Sequence, residues 1–331
     1  MLVYILFFVA LFAFELLYFA IARRFGIVDL PNGRSSHEKP ALRGGGVIFT
    51  LAVMLWSAVF GMQYPWFLGG LVLIAAVSFA DDIRSLPVRF RLLAQFAATG
   101  LMFVQFSSWS QPCWWLVPLM LVVCVGVINA FNFMDGINGI TGGYALAVLI
   151  PLYVLNAILP DGLFIDPSFL LCAILSVLVF CFFNFRTRAR CFAGDAGSVG
   201  IAFVIVFALG ALILRSGDPS YIALIAVYGV DSVLTIIHRI MLGENLGEAH
   251  RKHAYQLMAN ELGIPHVLVS LIYMLLQSLV SLGLMLVPSG ITWHLAYLAV
   301  VLLLLTAAYL IFMKKYYHLH QAYLNSLKDK E

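Results

Sequence analysis

Charged side chains are scarce in this 331-residue chain. Asp, Glu, Lys and Arg make up 11% of the residues, 63% are hydrophobic, and the mean hydropathy is +1.00. A soluble domain cannot enclose that much apolar surface, because its own exterior needs more polar side chains. The composition therefore excludes a soluble globular protein and predicts a polytopic membrane protein.

Motifs that would place the chain in other classes are also missing. The five cysteines form no CxxC pair, which argues against a disulfide framework or a zinc site. No basic region precedes the first apolar run and no small-residue cleavage site follows it, so we expect it to remain as a helix and not to act as a signal peptide. The modest net charge of +3 predicts no nucleic-acid partner.

What the chain has instead is a series of long apolar windows. About 20 apolar residues are enough for a helix to cross roughly 30 Å of hydrocarbon. The sequence predicts an all-α integral membrane protein with about eleven transmembrane helices, in the windows 2–22, 46–62, 66–80, 92–108, 114–131, 141–159, 168–184, 198–214, 220–237, 265–287 and 292–313.

The distribution of Lys and Arg predicts how these helices are oriented. Basic loops stay in the cytoplasm, and placing the N-terminus outside leaves only Arg215 of the 19 Lys and Arg residues on the outer side. The expected topology has its C-terminus in the cytoplasm. One transmembrane domain would span 1–313, with cytoplasmic loops at 23–46, 81–92, 132–140, 185–197 and 238–264 and a cytoplasmic tail at 314–331.

Polar side chains gather on the predicted cytoplasmic side. A transporter needs polar groups near the middle of the membrane, but the apolar windows hold few of them, Glu15 being the main exception. Five polar stretches lie at the cytoplasmic ends of the helices. Because ionisable groups at a membrane edge are costly to desolvate, these stretches are the candidates for function.

The most unusual stretch is the pair Asp81 and Asp82, which ends an apolar run. Adjacent carboxylates repel each other, and a divalent cation would remove the repulsion. Mg²⁺ suits this role, since it binds one or two carboxylates together with substrate phosphates. Two alternatives stay open: one aspartate is protonated and transfers a proton, or the pair is a helix end that pairs with Arg84, Arg89 or Arg91.

Two further stretches combine glycines with Asn or Asp. Asn129, Asn132 and Asp135 recur every three residues; amides can bond a base or a sugar, and a carboxylate can take a metal or a hydroxyl. In "GDAGS", Asp195 could hold a cation, Ser198 could cap the helix that starts near it, and backbone N–H groups could meet a phosphate. Hydrogen bonds between helices and a simple capped turn are the alternatives.

The first cytoplasmic loop is basic and rich in glycine. Ser36, His37 and Arg43 could contact phosphate, while Gly44 and Gly45 let the backbone approach a ligand closely. A cytosolic topology signal followed by a flexible helix entry is the alternative.

The last cytoplasmic loop carries two histidines three residues apart. His250 and His253 are expected to share one face of a helix, beside Arg251 and Lys252 and downstream of Arg239. Without a third close ligand, this set predicts contact with a diphosphate and not a metal site. A solvated basic helix is the alternative.

Carboxylates for a cation, asparagines for a nucleotide and basic side chains for a diphosphate therefore converge on one membrane face. Phosphoryl transfer has these requirements, because the protein mainly positions groups and neutralises charge. A site at the membrane edge also suits an acceptor in the bilayer. The residues predict metal-dependent transfer from a soluble nucleotide diphosphate to a lipid phosphate.

The order of the motifs also resembles a known family. The series "RSSH…P…RGG", "DD", "NxxNxxDG", "GDxGS" and "HxxH" is similar to that of the polyprenyl-phosphate N-acetylhexosamine-1-phosphate transferase superfamily, glycosyltransferase family 4. The resemblance covers nearly the whole chain. It implies a UDP-amino sugar as donor, undecaprenyl phosphate as acceptor, UMP as product, and Mg²⁺, with Mn²⁺ as an alternative.

The resemblance also implies roles for individual residues. Asp81, Asp82 and Asp195 would be catalytic, with Asp81 as the base and with Asp82 and Asp195 at the metal. The nucleotide, sugar and phosphates would contact Asn129, Asn132, Asp135, Arg239, His250 and His253, together with Ser36, His37, Arg43, Gly44, Gly45 and Ser198. Direct attack by the lipid phosphate and a covalent phospho-sugar on an aspartate both stay open.

Departures from the family pattern narrow the expected substrate. Arg84 and Ser85 follow the acidic pair where a further acidic residue sometimes occurs, and Ala41 stands where threonine is common. The last loop has two histidines and not the three of MraY-type members, so the chain resembles the WecA branch, which makes O-antigen and related lipid-linked sugars. UDP-GlcNAc or a deoxy relative is the expected donor.

The expected location follows from the same resemblance. We expect a multi-pass protein of the bacterial inner membrane with its active site on the cytoplasmic face, and a homodimer is compatible with this arrangement. A lipid-linked-sugar flippase or another transporter is the alternative function.

Overall fold

The computed structural model describes residues 1–29, 40–109, 115–159, 162–245, 247 and 250–328. Helices make up most of these residues. Their bounds are α1 Leu2–Phe25, α2 Val47–Phe60, α3 Pro65–Ile83, α4 Val88–Ser107, α5 Val117–Met134, α6 Ile140–Ile158, α7 Pro167–Asn184, α8 Gly194–Ser216, α9 Ala226–Met241, α10 Ala254–Gln256, α11 His266–Leu286 and α12 Ile291–Lys328.

Shorter elements connect some of these helices. A 3₁₀-helix, Pro219–Ile225, leads into α9, and a π-helical turn, Leu257–Glu261, follows α10. Two short antiparallel strands, β1 Val28–Asp29 and β2 Ala41–Leu42, join the two ends of the first loop.

The prediction of an all-α integral membrane protein is confirmed. Within the described residues, nine helical segments are long and apolar enough to cross a membrane, and the last of them begins at Ile291. The shorter apolar helix α2 and the helix α4, which has Arg89 and Arg91 in its first turn, overlap the remaining predicted windows. The number of eleven crossings and the orientation of the termini stay predictions.

Helix α8 lies at the centre of the bundle. Most of its side chains from Ala196 to Leu212 are buried. On one side α8 packs against α3, where the rings of Phe67 and Phe207 stack with centroids 3.9 Å apart. A helix that is apolar all round needs partners on every face, so α8 fixes the positions of its neighbours and of the residues at its first turn.

Small residues bring α2 and α8 together at one end of the bundle. A Cβ atom on Gly197 would lie 2.5 Å from the Cα atom of Gly46, closer than any real contact. The loop before α2 is anchored at the same place, because the backbone N–H groups of Gly45 and Gly46 donate to the carbonyl oxygens of Phe192 and Ala193 at 2.8 and 3.1 Å. The end of the first loop, at Gly45 and Gly46, and the start of α8 thus form one unit.

Helix α12 continues well beyond the predicted last span. The sequence predicted a span over 292–313 and a separate tail, whereas α12 has 38 residues and runs to Lys328. At about 1.5 Å per residue it is roughly 57 Å long, nearly twice the thickness of the hydrocarbon. Its last part packs on the last loop, where His320 lies 2.7 Å from Glu261.

We expect Gly197→Ala to destabilise the protein. The added methyl group would collide with backbone atoms of the loop before α2, which cannot yield as a flexible side chain would. Thermal unfolding of the purified protein in detergent measures the effect, with an expected loss of several degrees. Gly126→Ala on α5 is the matched control, since a Cβ there meets nothing within 4 Å; equal unfolding temperatures for the two variants would contradict the close approach.

Candidate active site

Asp82 connects three parts of the chain. Its carboxylate accepts hydrogen bonds from the backbone N–H groups of Asp195 and Ala196 at 2.9 and 3.0 Å, and it forms an ion pair with the Arg43 Nε at 2.8 Å. The Asp82 side chain is 0% exposed. A carboxylate at a helix N-terminus compensates both the free N–H groups and the helix dipole. Asp82 therefore ties α3 and the first loop to the start of α8.

This contact corrects the prediction for Ser198. The helix starts at Gly194, four residues before Ser198, so the Ser198 hydroxyl lies inside the first turns and donates to the Gly194 carbonyl oxygen at 3.0 Å. The cap comes instead from Asp82 on another helix. Sequence spacing alone does not reveal a cap supplied from 113 residues away.

Asp81 and Asp195 share one guanidinium group. The Arg91 Nη1 atom lies 3.0 Å from an Asp81 oxygen and 3.2 Å from an Asp195 oxygen. The other oxygen of Asp81 accepts from the Leu86 backbone N–H at 2.5 Å. One of the alternatives raised from the sequence, pairing of the acidic pair with a nearby arginine, is thus present in the structure.

The cluster still carries an excess of negative charge. Asp81, Asp82 and Asp195 face only Arg43 and Arg91 as ion-pair partners among the described residues. Asp195 keeps 18% of its side chain exposed, more than Asp81 at 8%. Hard oxygen donors with uncompensated charge are what Mg²⁺ prefers, so the donor set fits this ion.

The spacing of these donors limits how an ion could be held. No three His, Cys, Asp or Glu side chains in the described part of the chain are placed to hold a metal by themselves. An ion here would complete its coordination with oxygens from water or a substrate, as Mg²⁺ usually does.

Asp135 lies beside the same cluster, just after the end of α5. Its carboxyl accepts a hydrogen bond from the Thr141 hydroxyl at 2.5 Å. Burial raises the pKa of Asp135 to about 7, and the negative charges of Asp195 and Asp82 add to this shift. Asp135 therefore changes its protonation state near neutral pH.

The two asparagines of the predicted motif have different surroundings. The Asn132 amide donates to the Ser198 hydroxyl at 3.0 Å, which places it against the first turns of α8. The Asn129 amide exchanges hydrogen bonds with Gln95 at 2.7 and 3.3 Å and donates to the Val125 carbonyl oxygen. Asn129 is thus occupied by contacts between helices, the alternative raised from the sequence.

The first loop is described only in part. Ser36 and His37 lie outside the described residues. Gly44 has a positive φ of 79°, which favours glycine. The Gly45 N–H already bonds to the Phe192 carbonyl oxygen, so these glycines serve close packing, and Arg43 is the predicted phosphate ligand that faces the carboxylates.

The two histidines of the last loop do not share a helical face. They lie in an irregular segment that ends where α10 begins, and their rings are 5.0 Å apart. The Lys252 N–H approaches the His250 Nδ1 at 3.4 Å. Burial lowers the pKa of His250 to about 3, and nearby positive charges add to the shift. At neutral pH His250 is therefore uncharged.

One carboxylate pairs with two of the basic side chains of this loop. Glu244 forms ion pairs with the Arg239 Nε at 3.1 Å and with the Lys252 ammonium group. Arg239 is only 3% exposed and also donates to the Asn245 carbonyl oxygen at 2.6 Å. The Glu244 carboxylate occupies the kind of position that a phosphate would take beside these cations.

Sequence reasoning missed several residues of this region. Arg91 was considered only as an alternative partner, and Gln95 and Glu244 were not singled out. Asp231 was overlooked within an apolar window, although a lone carboxylate there is a candidate for function by default. It accepts from the Ala254 N–H at 3.1 Å and lies 3.3 Å from the His253 Nδ1.

The fold and the site together define a class of protein. Several apolar helices end at buried carboxylates, at the arginines that pair with them, and at the loop that carries His250 and His253 (the histidine loop). Tyr255 connects the histidine loop to the end of α5, since its hydroxyl donates to the Phe133 carbonyl oxygen at 2.9 Å, close to Asp135. This is an arrangement for handling phosphate groups at a membrane edge.

Comparison with known proteins agrees with this class. Residues 64–213 match the model of glycosyl transferase family 4. The chain is 27% identical over 293 residues to a probable undecaprenyl-phosphate N-acetylglucosaminyl 1-phosphate transferase of Bacillus subtilis, covering 82% of this chain and 80% of that protein. The resemblance predicted from the motifs is confirmed.

Two further relatives have related names. An undecaprenyl-phosphate alpha-N-acetylglucosaminyl 1-phosphate transferase of Escherichia coli K12 is 27% identical, over 75% of this chain and 74% of that protein. A decaprenyl-phosphate N-acetylglucosaminephosphotransferase of Mycolicibacterium smegmatis is 25% identical, over 80% of this chain and 76% of that protein. The similarity thus extends well beyond the segment that matches the family model.

We expect Asp135 to make stability depend on pH. Its pKa in the fold lies above the usual value of 3.8, so its contribution to stability is lost as the pH rises from about 4 to about 7. Asp135→Asn should therefore raise the unfolding temperature more at pH 8 than at pH 5, measured in detergent with EDTA present. An equal difference at both pH values would contradict the raised pKa.

Proposed function

We propose that the protein transfers an N-acetyl-amino-sugar 1-phosphate from a UDP-sugar to undecaprenyl phosphate and releases UMP. UDP-GlcNAc or a deoxy relative is the proposed donor. The main structural support is the cluster of Asp81, Asp82 and Asp195, which several distant parts of the chain bring together with Arg43 and Arg91. The names of the relatives support the same chemistry.

The carboxylates divide between anchoring and binding. Asp82 is fully buried and its oxygens already accept three hydrogen bonds, which suits an anchor. We place the cation at Asp195 and Asp81, which share the Arg91 guanidinium and keep more of their side chains exposed than Asp82 does. When bound, Mg²⁺ would neutralise charge on the substrate phosphates. This changes the sequence prediction, in which Asp82 was a metal ligand.

Direct attack by the lipid phosphate is the mechanism that this arrangement favours. An oxygen of undecaprenyl phosphate attacks the β-phosphorus of the donor, the bond from that phosphorus to the UMP oxygen breaks, and UMP leaves. A phosphate monoester has its second pKa near 6 and is largely ionised at neutral pH, so the nucleophile needs little help from a base. Asp82, which is saturated with hydrogen bonds, is poorly suited to form a covalent intermediate.

The proposed location follows from the two substrates. Undecaprenyl phosphate resides in the bilayer, whereas a UDP-sugar is soluble in the cytosol. The helix ends at the proposed site therefore belong on the cytoplasmic face of a bacterial inner membrane. These ends carry the carboxylate cluster, Arg239 and the histidine loop. The product would be the first lipid-linked sugar of an envelope polysaccharide, such as an O-antigen.

Release of UMP tests this function. Membranes that contain the protein are supplied with undecaprenyl phosphate, Mg²⁺ and a panel of UDP-sugars. We expect UMP release with at least one UDP-N-acetyl-amino sugar and loss of release with EDTA. Asp195→Asn should lower the rate by about 100-fold or more, since it removes a charge from the site of transfer.

A matched control separates chemistry from folding. Asp166→Asn also removes a carboxylate from a helix N-terminus, but Asp166 caps α7 next to Gln63, at the opposite end of the bundle. This variant should keep most of the activity. Absence of UMP release with every donor, or release that EDTA leaves unchanged, would overturn the proposal; transport of lipid-linked sugar without UMP release would instead support a flippase.

A further inference from the structure

His253 is held by a carboxylate from a different helix. Its Nδ1 atom lies 3.3 Å from an Asp231 oxygen, and the two residues are only 1% and 3% exposed. Asp231 lies on α9, whereas His253 immediately precedes α10. An ionised carboxylate can only accept a hydrogen bond, so a hydrogen bond between these two side chains requires the imidazole proton on Nδ1.

Other donors keep the Asp231 carboxylate in place. It accepts from the Ala254 N–H at 3.1 Å, from the Thr235 hydroxyl at 3.2 Å and, through its second oxygen, from the Tyr273 hydroxyl at 2.5 Å. These groups come from α9, α10 and α11. The direction in which Asp231 presents its oxygen to His253 is therefore fixed by the fold.

The other nitrogen of the His253 ring, Nε2, lacks a hydrogen bond of this kind. The His253 Nε2 atom is buried and has no hydrogen-bond partner among the residues that the structure describes. Leaving a buried polar atom unpaired costs about 1–3 kcal/mol. Asp231 and its three hydrogen-bond donors hold the His253 ring in place. An unpaired Nε2 atom on a ring held in this way is better explained by a ligand than by packing.

The position of the ring connects it to the carboxylate cluster. Its centroid is 5.8 Å from the Tyr255 ring and 6.5 Å from the Phe133 ring. The Tyr255 hydroxyl bonds to the Phe133 carbonyl oxygen, two residues before Asp135. His253 is therefore packed against the segment that leads to the proposed substrate site.

We infer that Asp231 is a positioning residue, which fixes the Nδ1–H tautomer of His253 so that Nε2 forms a hydrogen bond with the sugar-nucleotide donor. The inference rests on the proposed function, because it takes the donor as the ligand. Asp231 itself does not touch the substrate. Its effect on the reaction passes through the imidazole, as when a carboxylate orients a catalytic histidine.

A double-mutant cycle tests whether the two residues act as a unit. Asp231→Asn and His253→Gln should each lower kcat/KM for the donor by roughly 10- to 100-fold, as loss of an orienting partner typically does. The double variant should be no slower than His253→Gln alone. Multiplicative losses in the double variant would show that Asp231 acts independently of His253 and would overturn the inference.

A matched control changes the next residue on α9, which makes no contact with Asp231 or His253 through its hydroxyl. Ser232→Ala removes a buried hydroxyl that has no hydrogen-bond partner among the described residues, so its kcat/KM should stay within about twofold of the native value. A loss as large as that of Asp231→Asn would indicate a merely structural role.

The tautomer can be read directly in the native protein. Nitrogen NMR of ¹⁵N-histidine-labelled protein, with His253 assigned by its loss in His253→Gln, should show the proton on Nδ1. A proton on Nε2 alone would overturn the inference even if Asp231→Asn fails to fold. Lack of UMP release by the native protein would instead refute the proposed function and leave this measurement intact.

Discussion

The ion pair and hydrogen bonds of Asp82 are the interaction on which the site depends. One buried carboxylate accepts hydrogen bonds from the N–H groups of Asp195 and Ala196 in the first turn of α8 and pairs with the Arg43 side chain. Without it, the N-terminus of the central helix would have unpaired donors away from water. Because Asp81 precedes it and Asp195 donates to it, the same contact brings the other two carboxylates to one place.

The rest of the site is arranged around this anchor in two parts. On one side, Arg91 joins Asp81 to Asp195 and leaves negative charge for a cation to balance. On the other side, the histidine loop is held by Asp231 and by the extended end of α12. The chain between α5 and α6, with Asp135, lies between the two parts, so a donor could contact both.

Much of this arrangement could be predicted from the sequence. The apolar windows and the distribution of basic residues predicted all five polar stretches at the same ends of the helices, and the structure brings described segments of all five into contact. Polar residues in an apolar chain are conspicuous, and this is how the sequence identified Asp82, Asp195, Asn132 and Arg43.

Other features depended on contacts that no local pattern encodes. The cap of α8 comes from a residue 113 positions away, so Ser198 was taken for the cap instead. His250 and His253 have helical spacing, yet ion pairs and hydrogen bonds of the last loop hold them in an irregular segment. Asp231 was missed because a single carboxylate inside an apolar window has no neighbours in sequence that reveal its partner.

The most direct measurement of the central claim is the unfolding temperature of Asp82→Asn. An amide has one acceptor oxygen and no charge, so the variant cannot satisfy Arg43 and both N–H groups of α8, and each buried donor left unpaired lowers the stability of the fold. We predict a loss of several degrees in Asp82→Asn and little or no loss in Asp195→Asn, measured side by side in detergent. If Asp82→Asn unfolded at the native temperature, Asp82 would not be the anchor of the site.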